Sequence, residues 1–257
     1  MSPRPLVSVI MPTHNRAGLI GQSLRSVLDQ TCQDFEILVA DDASTDDTEA
    51  VTAALGDPRI RYERLPRAGR PAVPRNAALR RARGRYIAFL DSDDLWLPAK
   101  LERQLDLLAR RPELLGCATN IRILPEGRDN AHRLERDLTA TFADTVRFSV
   151  PLTNSSMLLD AAVLDAVGLL DEDPALRGTE DHDYWLRILR HRDRSLVVLA
   201  ETLTAYRLHG GNLLGVDDAS RELAMLKIIY AKHLDFLPGV VGPRLAEVER
   251  RLAEVPA

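Results

Sequence analysis

The chain has 257 residues, 45% hydrophobic and 28% charged, enough for one large α/β domain or one domain with a C-terminal appendage. Its formal net charge of −4 supplies no basic face for a nucleic-acid backbone, so no nucleic-acid partner is expected. The arginines between 75 and 85 alternate with Ala and Leu at helical spacing, as on a solvated helix face.

Residues 6–11 form a β-branched apolar run ending at Pro12, which predicts a buried strand. The run is too short for a signal-peptide core, and no stretch approaches a membrane span. The expectation is a cytoplasmic protein, acting alone or in peripheral contact with a membrane. Ile20, Leu24, Val27 and Leu28 mark a helix; residues 35–40 are a second buried strand, followed by an acidic Ser/Thr-rich stretch at 41–48. Asp46 or Thr45 is expected to cap the next helix, whose apolar face includes Val51, Ala54 and Leu55. Residues 59–63 alternate like a third strand, 77–83 look helical, and 86–90 are a fourth strand running into Asp91-Ser92-Asp93-Asp94. Pro98 starts a helix with Leu97, Leu101, Leu105 and Leu108 on its buried stripe.

The second half is less regular. Strand-like segments are predicted at 115–124, 156–159, 196–199 and 203–208, a polar surface loop at 125–136, and a helix ending near Gly168. Residues 180–190 read as a helix with Trp185, Ile188 and Leu189 on one face. A Gly210-Gly211-Asn212 loop precedes a C-terminal helix marked by Leu223, Leu226, Tyr230, Leu234 and Leu237. Cys32 and Cys117, with no Cys-x-x-Cys spacing, argue against a thiolate zinc site or a disulfide framework. Asn154-Ser155-Ser156 fits the glycosylation sequon, but with no secretory signal it reads as chance.

Strands alternating with helices imply an α/β fold with a Rossmann-like, mostly parallel sheet covered on both faces. In such sheets ligands bind beyond the carboxyl ends of the strands. Three strand ends carry polar clusters, at 12–16, 41–45 and 91–94, and these should converge on one crevice. Three aspartates packed behind a buried strand repel one another unless a cation compensates them, and oxygen ligands suit Mg²⁺ or Mn²⁺ sharing its sphere with substrate phosphates. A solvated helix-capping turn would use the same residue types. The first strand lacks a Gly-x-Gly-x-x-Gly fingerprint and the chain has no Gly-Lys-Ser/Thr loop, which argues against a dehydrogenase and a P-loop nucleotide triphosphatase.

Taken in order, Val7-Ser8-Val9-Ile10-Met11-Pro12-Thr13-His14-Asn15-Arg16, Asp41-Asp42-Ala43-Ser44-Thr45-Asp46, Arg75-Asn76-Ala77, Gly84 to Asp94, Glu180-Asp181 and Tyr206-Arg207-Leu208-His209 resemble the family 2 glycosyltransferases. The resemblance runs from residue 6 to about residue 212. It implies a GT-A fold and an inverting, metal-assisted transfer of one sugar from a nucleotide-sugar donor, usually a UDP-sugar, to a carbohydrate, lipid-linked or other small hydroxyl acceptor. By the same resemblance Pro12, Thr13, Arg16 and Asp42 hold the base and ribose, and Arg75 lies near the base or diphosphate. Asp93 and Asp94 match the Asp-x-Asp region that bridges ribose and the metal-bound diphosphate, with the direct ligand of the Mn²⁺ or Mg²⁺ left open among Asp91, Asp93 and Asp94. Asp181 is the general base, presented by a helix that Thr179 is expected to cap, and His209 reaches the metal or diphosphate. Gly210-Gly211 would let a lid close on the donor.

The expected division is a transferase domain at 1–215, with a donor half at 1–115 and an acceptor half at 116–215, then a helical extension at 216–257. Pro71 and Pro74 depart from the family's usual small residues and should stiffen the loop before Arg75 or shift Arg75 itself. A nucleotidyltransferase that makes nucleotide sugars would need a basic, glycine-rich triphosphate loop, which is not visible; a non-catalytic binding module would not need the carboxylates at 93, 94 and 181.

Overall fold

The computed structural model describes residues 4–125, 134–209 and 219–254. The first four strands are β1 (Val7–Thr13), β2 (Phe35–Asp41), β3 (Ile60–Arg64) and β4 (Tyr86–Phe89). They share one sheet with β5 (Leu95–Trp96), β6 (Gly116–Leu124), β7 (Leu138–Ala140), β8 (Leu158–Asp160) and β9 (Leu196–Arg207). The order is β3-β2-β1-β4-β8-β6-β9-β5, with β7 pairing onto β9. The first four strands pair in parallel throughout. Antiparallel pairing enters with β8, between β4 and β6, because a 3₁₀ turn at Asn154–Ser156 has already carried the chain to the sheet's carboxyl edge and the strand must run back.

Helices cover both faces. Val7, Val9 and Met11 of β1 pack toward α1 (Ala17–Leu28) and α4 (Lys100–Arg110). Ile10 points the other way, into a core shared with α3 (Ala72–Leu79) and α7 (Glu180–His191). This is the period-two alternation of a strand buried on both sides. α8 (Ala219–His233) and α9 (Pro238–Ala253) add Leu226, Ile229, Tyr230, Val241 and Val248 to that second core, and Tyr230 donates to the Val146 carbonyl at 2.9 Å. Asp183, fully buried on α7, bonds Arg187 at 3.0 Å and His233 at 3.2 Å and pairs with Lys232 at 2.8 Å. Burial raises this carboxyl, but the bonds from His233 and Lys232 prevail and hold it at about 2. α8 thereby fixes the helix whose first turn carries Glu180 and Asp181.

Several elements differ from the sequence reading. β1 does not stop at Pro12 but continues to Thr13. Ile10 accepts from Leu90 and Thr13 from Asp42 on opposite sides of the strand. Pro12 therefore turns its imino nitrogen toward β4, whose pairing has ended at Phe89, so the missing N–H costs no ladder bond. The third helix is Ala72–Leu79 rather than 77–83. Pro71 and Pro74 do not stiffen a loop; they occupy the N-cap and first turn, where a proline displaces no intrahelical bond. The two C-terminal strand segments are one strand, β9, whose irregular register opposite Thr119, Asn120 and Ile121 accounts for the break in its apolar pattern. The short β5, β7, α2 (Thr48–Ala53), α5 (Phe142–Val146) and α6 (Ala162–Val167) complete the fold. The N-cap of α2 is neither Thr45 nor Asp46 but Asp47, which makes no side-chain cap bond; Asp46, just before it, accepts from Thr48 N at 3.1 Å and from Ala17 N at 3.0 Å, so one carboxylate serves the starts of α1 and α2. Most of the predicted 125–136 loop lies outside the described residues.

Gly84 enters β4 against the backbone of β1: a Cβ there would stand 2.5 Å from Ser8 N and 2.8 Å from Tyr86 O. Both contacts are with main chain, which cannot swing aside. Gly84→Ala is expected to destabilise the fold by about 1–3 kcal/mol, read as a lower denaturant midpoint at unchanged slope.

Candidate active site

Because β1, β2 and β4 are parallel, their carboxyl ends share one edge, and a cleft of ≈ 460 Å³ opens there. Pro12, Thr13, Arg16, Asp42, Arg75, Asp91, Asp93, Asp94 and Asp181 all line it. His209 joins them through Asp93, its Nε2 lying 3.0 Å from the Asp93 carboxylate. The convergence expected from the strand ends is therefore present.

The donor-side wall is built by interlocked turns. Asp41 is fully buried and accepts from the Ser44 amide at 3.1 Å, from the Ser44 hydroxyl and from Tyr62. Asn15 adopts a positive φ of 50° and its side chain accepts from Thr45 N at 2.7 Å, tying the β1 turn to the β2 turn. The short polar side chain of asparagine suits that backbone region. With Asp41 occupied in construction, Asp42 faces the cleft, where it accepts from Ala68 N at 2.5 Å and Gly69 N at 2.8 Å and pairs with Arg67. Thr13 Oγ1 and His14 Nδ1 are buried here with no partner among the described residues, which leaves hydrogen-bonding capacity for a ligand.

The acidic turn after β4 divides its labour. Asp94 is 1% exposed, and its carboxylate accepts from Ser155 Oγ at 2.5 Å and from Arg207 N at 2.9 Å, which ties the turn to the end of β9. Asp93 keeps a more open carboxylate, met on one oxygen by Arg16 Nε at 3.2 Å and by His209. Asp91 receives Arg75 at 2.6 Å. Burial raises the Asp91 carboxyl, with Arg75 pulling it back; burial and the charges of Asp91 and Asp93 raise Asp94 well above the usual range.

The opposite wall is the start of α7. Arg75, 5% exposed, forks between Asp91 and Glu180, the latter at 2.5 Å. Burial disfavours its charge, but Asp91 and Glu180 outweigh burial and hold the guanidinium firmly protonated. Glu180 also accepts from Gly178 N at 2.6 Å, whereas Thr179, expected as the cap, donates instead to the Leu176 carbonyl at 3.3 Å. Asp181 accepts from Asn154 Nδ2 at 3.0 Å and His182 N at 2.8 Å. Burial first and Glu180 second push its carboxyl up to about 7, while Arg75 pulls the other way.

Sequence reasoning missed three contributors. Asn154, set aside as part of a chance sequon, is 6% exposed and orients Asp181. Ser155 bonds Asp94 and receives Asp91 N at 3.1 Å. Tyr206 lines the cleft, its phenol kept neutral by burial and by the charges of Asp94 and Asp91. The signal for the first two was a polar Thr-Asn-Ser-Ser run between apolar neighbours. Trp96 and Trp185 are both buried in the cores, with Trp96 donating to the Ser155 carbonyl at 2.7 Å and Trp185 packed edge-on against Phe89, so packing accounts for both. Gly210 and Gly211, the expected lid hinge, lie outside the described residues.

A parallel half-sheet with an acidic turn at its carboxyl edge and a carboxylate-bearing helix opposite defines a GT-A glycosyltransferase. The model of glycosyl transferase family 2 matches residues 8–160, and the chain belongs to that family. It is 33% identical over 203 residues to the UDP-Glc:alpha-D-GlcNAc-diphosphoundecaprenol beta-1,3-glucosyltransferase WfgD of Escherichia coli, covering 79% of this chain and 77% of that protein. The crystal structure of S. aureus TarS 1–349 in complex with UDP-GlcNAc superposes with a TM-score of 0.76 at 21% identity, over 95% of this chain and 72% of that one. The mannosyltransferase PcManGT from Pyrobaculum calidifontis, in complex with GDP-Man and Mn²⁺, superposes with a TM-score of 0.66 at 21% identity, over 100% of this chain and 77% of that one. These two likenesses establish the fold.

Proposed function

We propose that the chain transfers one sugar from a UDP-sugar to a hydroxyl of a lipid-linked acceptor, with inversion, and that Asp181 is the general base. The observation that carries this reading is the placement of Asp181: a half-buried carboxylate on the cleft wall, oriented by Asn154 and raised toward neutrality. A base poised near the operating pH takes a hydroxyl proton most effectively. The donor and acceptor classes follow the relative's name, which specifies UDP-Glc and a diphosphoundecaprenol-linked sugar.

Asp42 and Thr13 face the base and ribose from the donor wall, with Pro12 shaping it and Arg16 beside Asp93. Asp91, Asp93, Asp94, Glu180 and Asp181 bring five carboxylates against the guanidinium groups of Arg75 and Arg16, and a divalent cation compensates such an excess. The donor set of carboxylate and imidazole fits Mn²⁺ or Mg²⁺. Asp93 and His209 would hold the ion, and Asp94, already bonded to Ser155 and Arg207, would keep the acidic turn in place. Such an ion, when bound, stabilises charge on the departing diphosphate as a Lewis acid. Asp181 receives the acceptor's proton, and attack from its side of the sugar ring inverts the anomeric centre. The donor half is assigned to 1–115, the acceptor half to 116–215 and the helical extension to 216–257. Among the described residues no helix is long and apolar enough to cross a membrane.

A thermal-shift titration tests the reading. UDP with Mn²⁺ should stabilise the protein by about 2.7 kcal/mol at one hundred times its dissociation constant. Asp93→Ala should lose the Mn²⁺ dependence. Equal UDP binding in excess chelator would remove the metal from the proposal, and no shift with any nucleoside diphosphate would favour a non-catalytic module.

A further inference from the structure

Five arginines line the cleft: Arg16, Arg67, Arg70, Arg75 and Arg177. Four are committed within the protein. Arg16 meets Asp93, Arg67 meets Asp42, Arg75 forks between Asp91 and Glu180, and Arg70 donates to the Glu172 carbonyl at 2.6 Å. The Arg177 side chain donates no hydrogen bond to the described residues, although its Nε is buried. A buried guanidinium N–H without a partner is costly and is normally satisfied.

The backbone that carries Arg177 is fixed. Thr179 N donates to the Leu176 carbonyl at 2.9 Å, and Gly178 N donates to Glu180, so the side chain is held at the cleft four residues before Asp181. On the same wall Asn154 keeps its Oδ1 buried and without a partner among the described residues, while its Nδ2 holds Asp181. The other cleft-lining arginines are already paired within the protein, and an anionic group entering beside Asp181 needs a cation that no carboxylate has already claimed. A planar guanidinium fork matches phosphate oxygens two at a time.

We propose that Arg177 reads a phosphate of the acceptor, so that the acceptor is a sugar carried on a diphosphate rather than a neutral glycoside. This rests on the reading of Asp181 as the base, which places the acceptor at this wall and the donor diphosphate at Asp93 and His209. Arg177 is then a specificity-determining contact and no part of donor recognition.

The test uses the full chain loaded with UDP and Mn²⁺. Two probes are titrated, octyl diphosphate bearing α-linked GlcNAc and neutral octyl α-GlcNAc. The wild type should bind the diphosphate probe about 10–100-fold more tightly. Arg177→Ala should erase that preference, Arg177→Lys should recover part of it, and UDP binding should stay unchanged in both. The proposal is overturned if the two probes bind equally to the wild type, if neither binds, if the preference survives in Arg177→Ala, or if that variant weakens UDP as much as the probe. Failure of the wild type to bind UDP at all would overturn the transferase reading as well, which separates the two.

Discussion

Asp181→Asn is expected to lower kcat by about 10²–10⁴-fold while the dissociation constant for UDP stays within a factor of about two. Asparagine keeps the shape, and its single carbonyl oxygen can keep the bond from either Asn154 Nδ2 or His182 N, so the wall should not collapse. It cannot take a proton from an acceptor hydroxyl. The pH dependence supplies a second signature. With the carboxyl raised to about 7, chiefly by burial and then by Glu180, the base is protonated below that value, and kcat/KM should fall tenfold per pH unit on the acid side. Stability should move the opposite way. An aspartate raised from 3.8 to about 7 binds more protons folded than unfolded between those values, so its contribution is intact below 3.8 and is lost as pH rises through 7. The Asn variant should therefore melt higher than the wild type at pH 8 and converge with it near pH 4. Unchanged turnover, or an acid limb that survives the substitution, would remove Asp181 as the base.

The donor half of this site was legible because parallel α/β sheets put ligands at their carboxyl edge, so three polar clusters after three apolar strands sufficed to place Thr13, Asp42 and Asp93 around one cleft. The same local patterns could not say which carboxylate faces inward. Asp41 and Asp42 are neighbours of identical type, yet one builds the turn with Ser44 and Tyr62 while the other faces the cleft. That choice is made by strand register, which neighbouring residues alone do not reveal. The acceptor wall was the least legible. Asn154 meets Asp181 across 27 residues and Arg75 meets Glu180 across 105, and contacts at such separations depend on how α3, α7 and the Asn154–Ser156 turn pack. The prolines at 71 and 74 show the complementary failure: read as stiffening a loop, they are helix starters once their place in the first turn is known.

Arg75→Met should cost about 3–5 kcal/mol of folding stability, a fall in Tm on the order of 10 °C. The guanidinium is buried and is the shared cation of Asp91 at 2.6 Å and Glu180 at 2.5 Å, linking the end of β4 to the start of α7. Removing it leaves the buried Glu180 and the half-buried Asp91 without their shared cation, with Asp181 beside them, and a buried charge without its partner is far more costly than the pair itself is stabilising. Methionine fills most of the vacated volume, so the loss reports charge rather than a cavity. Arg75→Lys should recover only part of it, since one ammonium cannot fork to carboxylates on two elements. The same substitution reaches the chemistry. Arg75 lowers the Asp181 carboxyl, so in its absence that group rises further and the acid limb of kcat/KM should move to higher pH. Adding Glu180→Gln to Arg75→Met removes one of the stranded charges and should restore part of both stability and the limb. A double variant no more stable than Arg75→Met, with the limb unmoved in either, would show that Arg75 neither compensates Glu180 nor tunes Asp181.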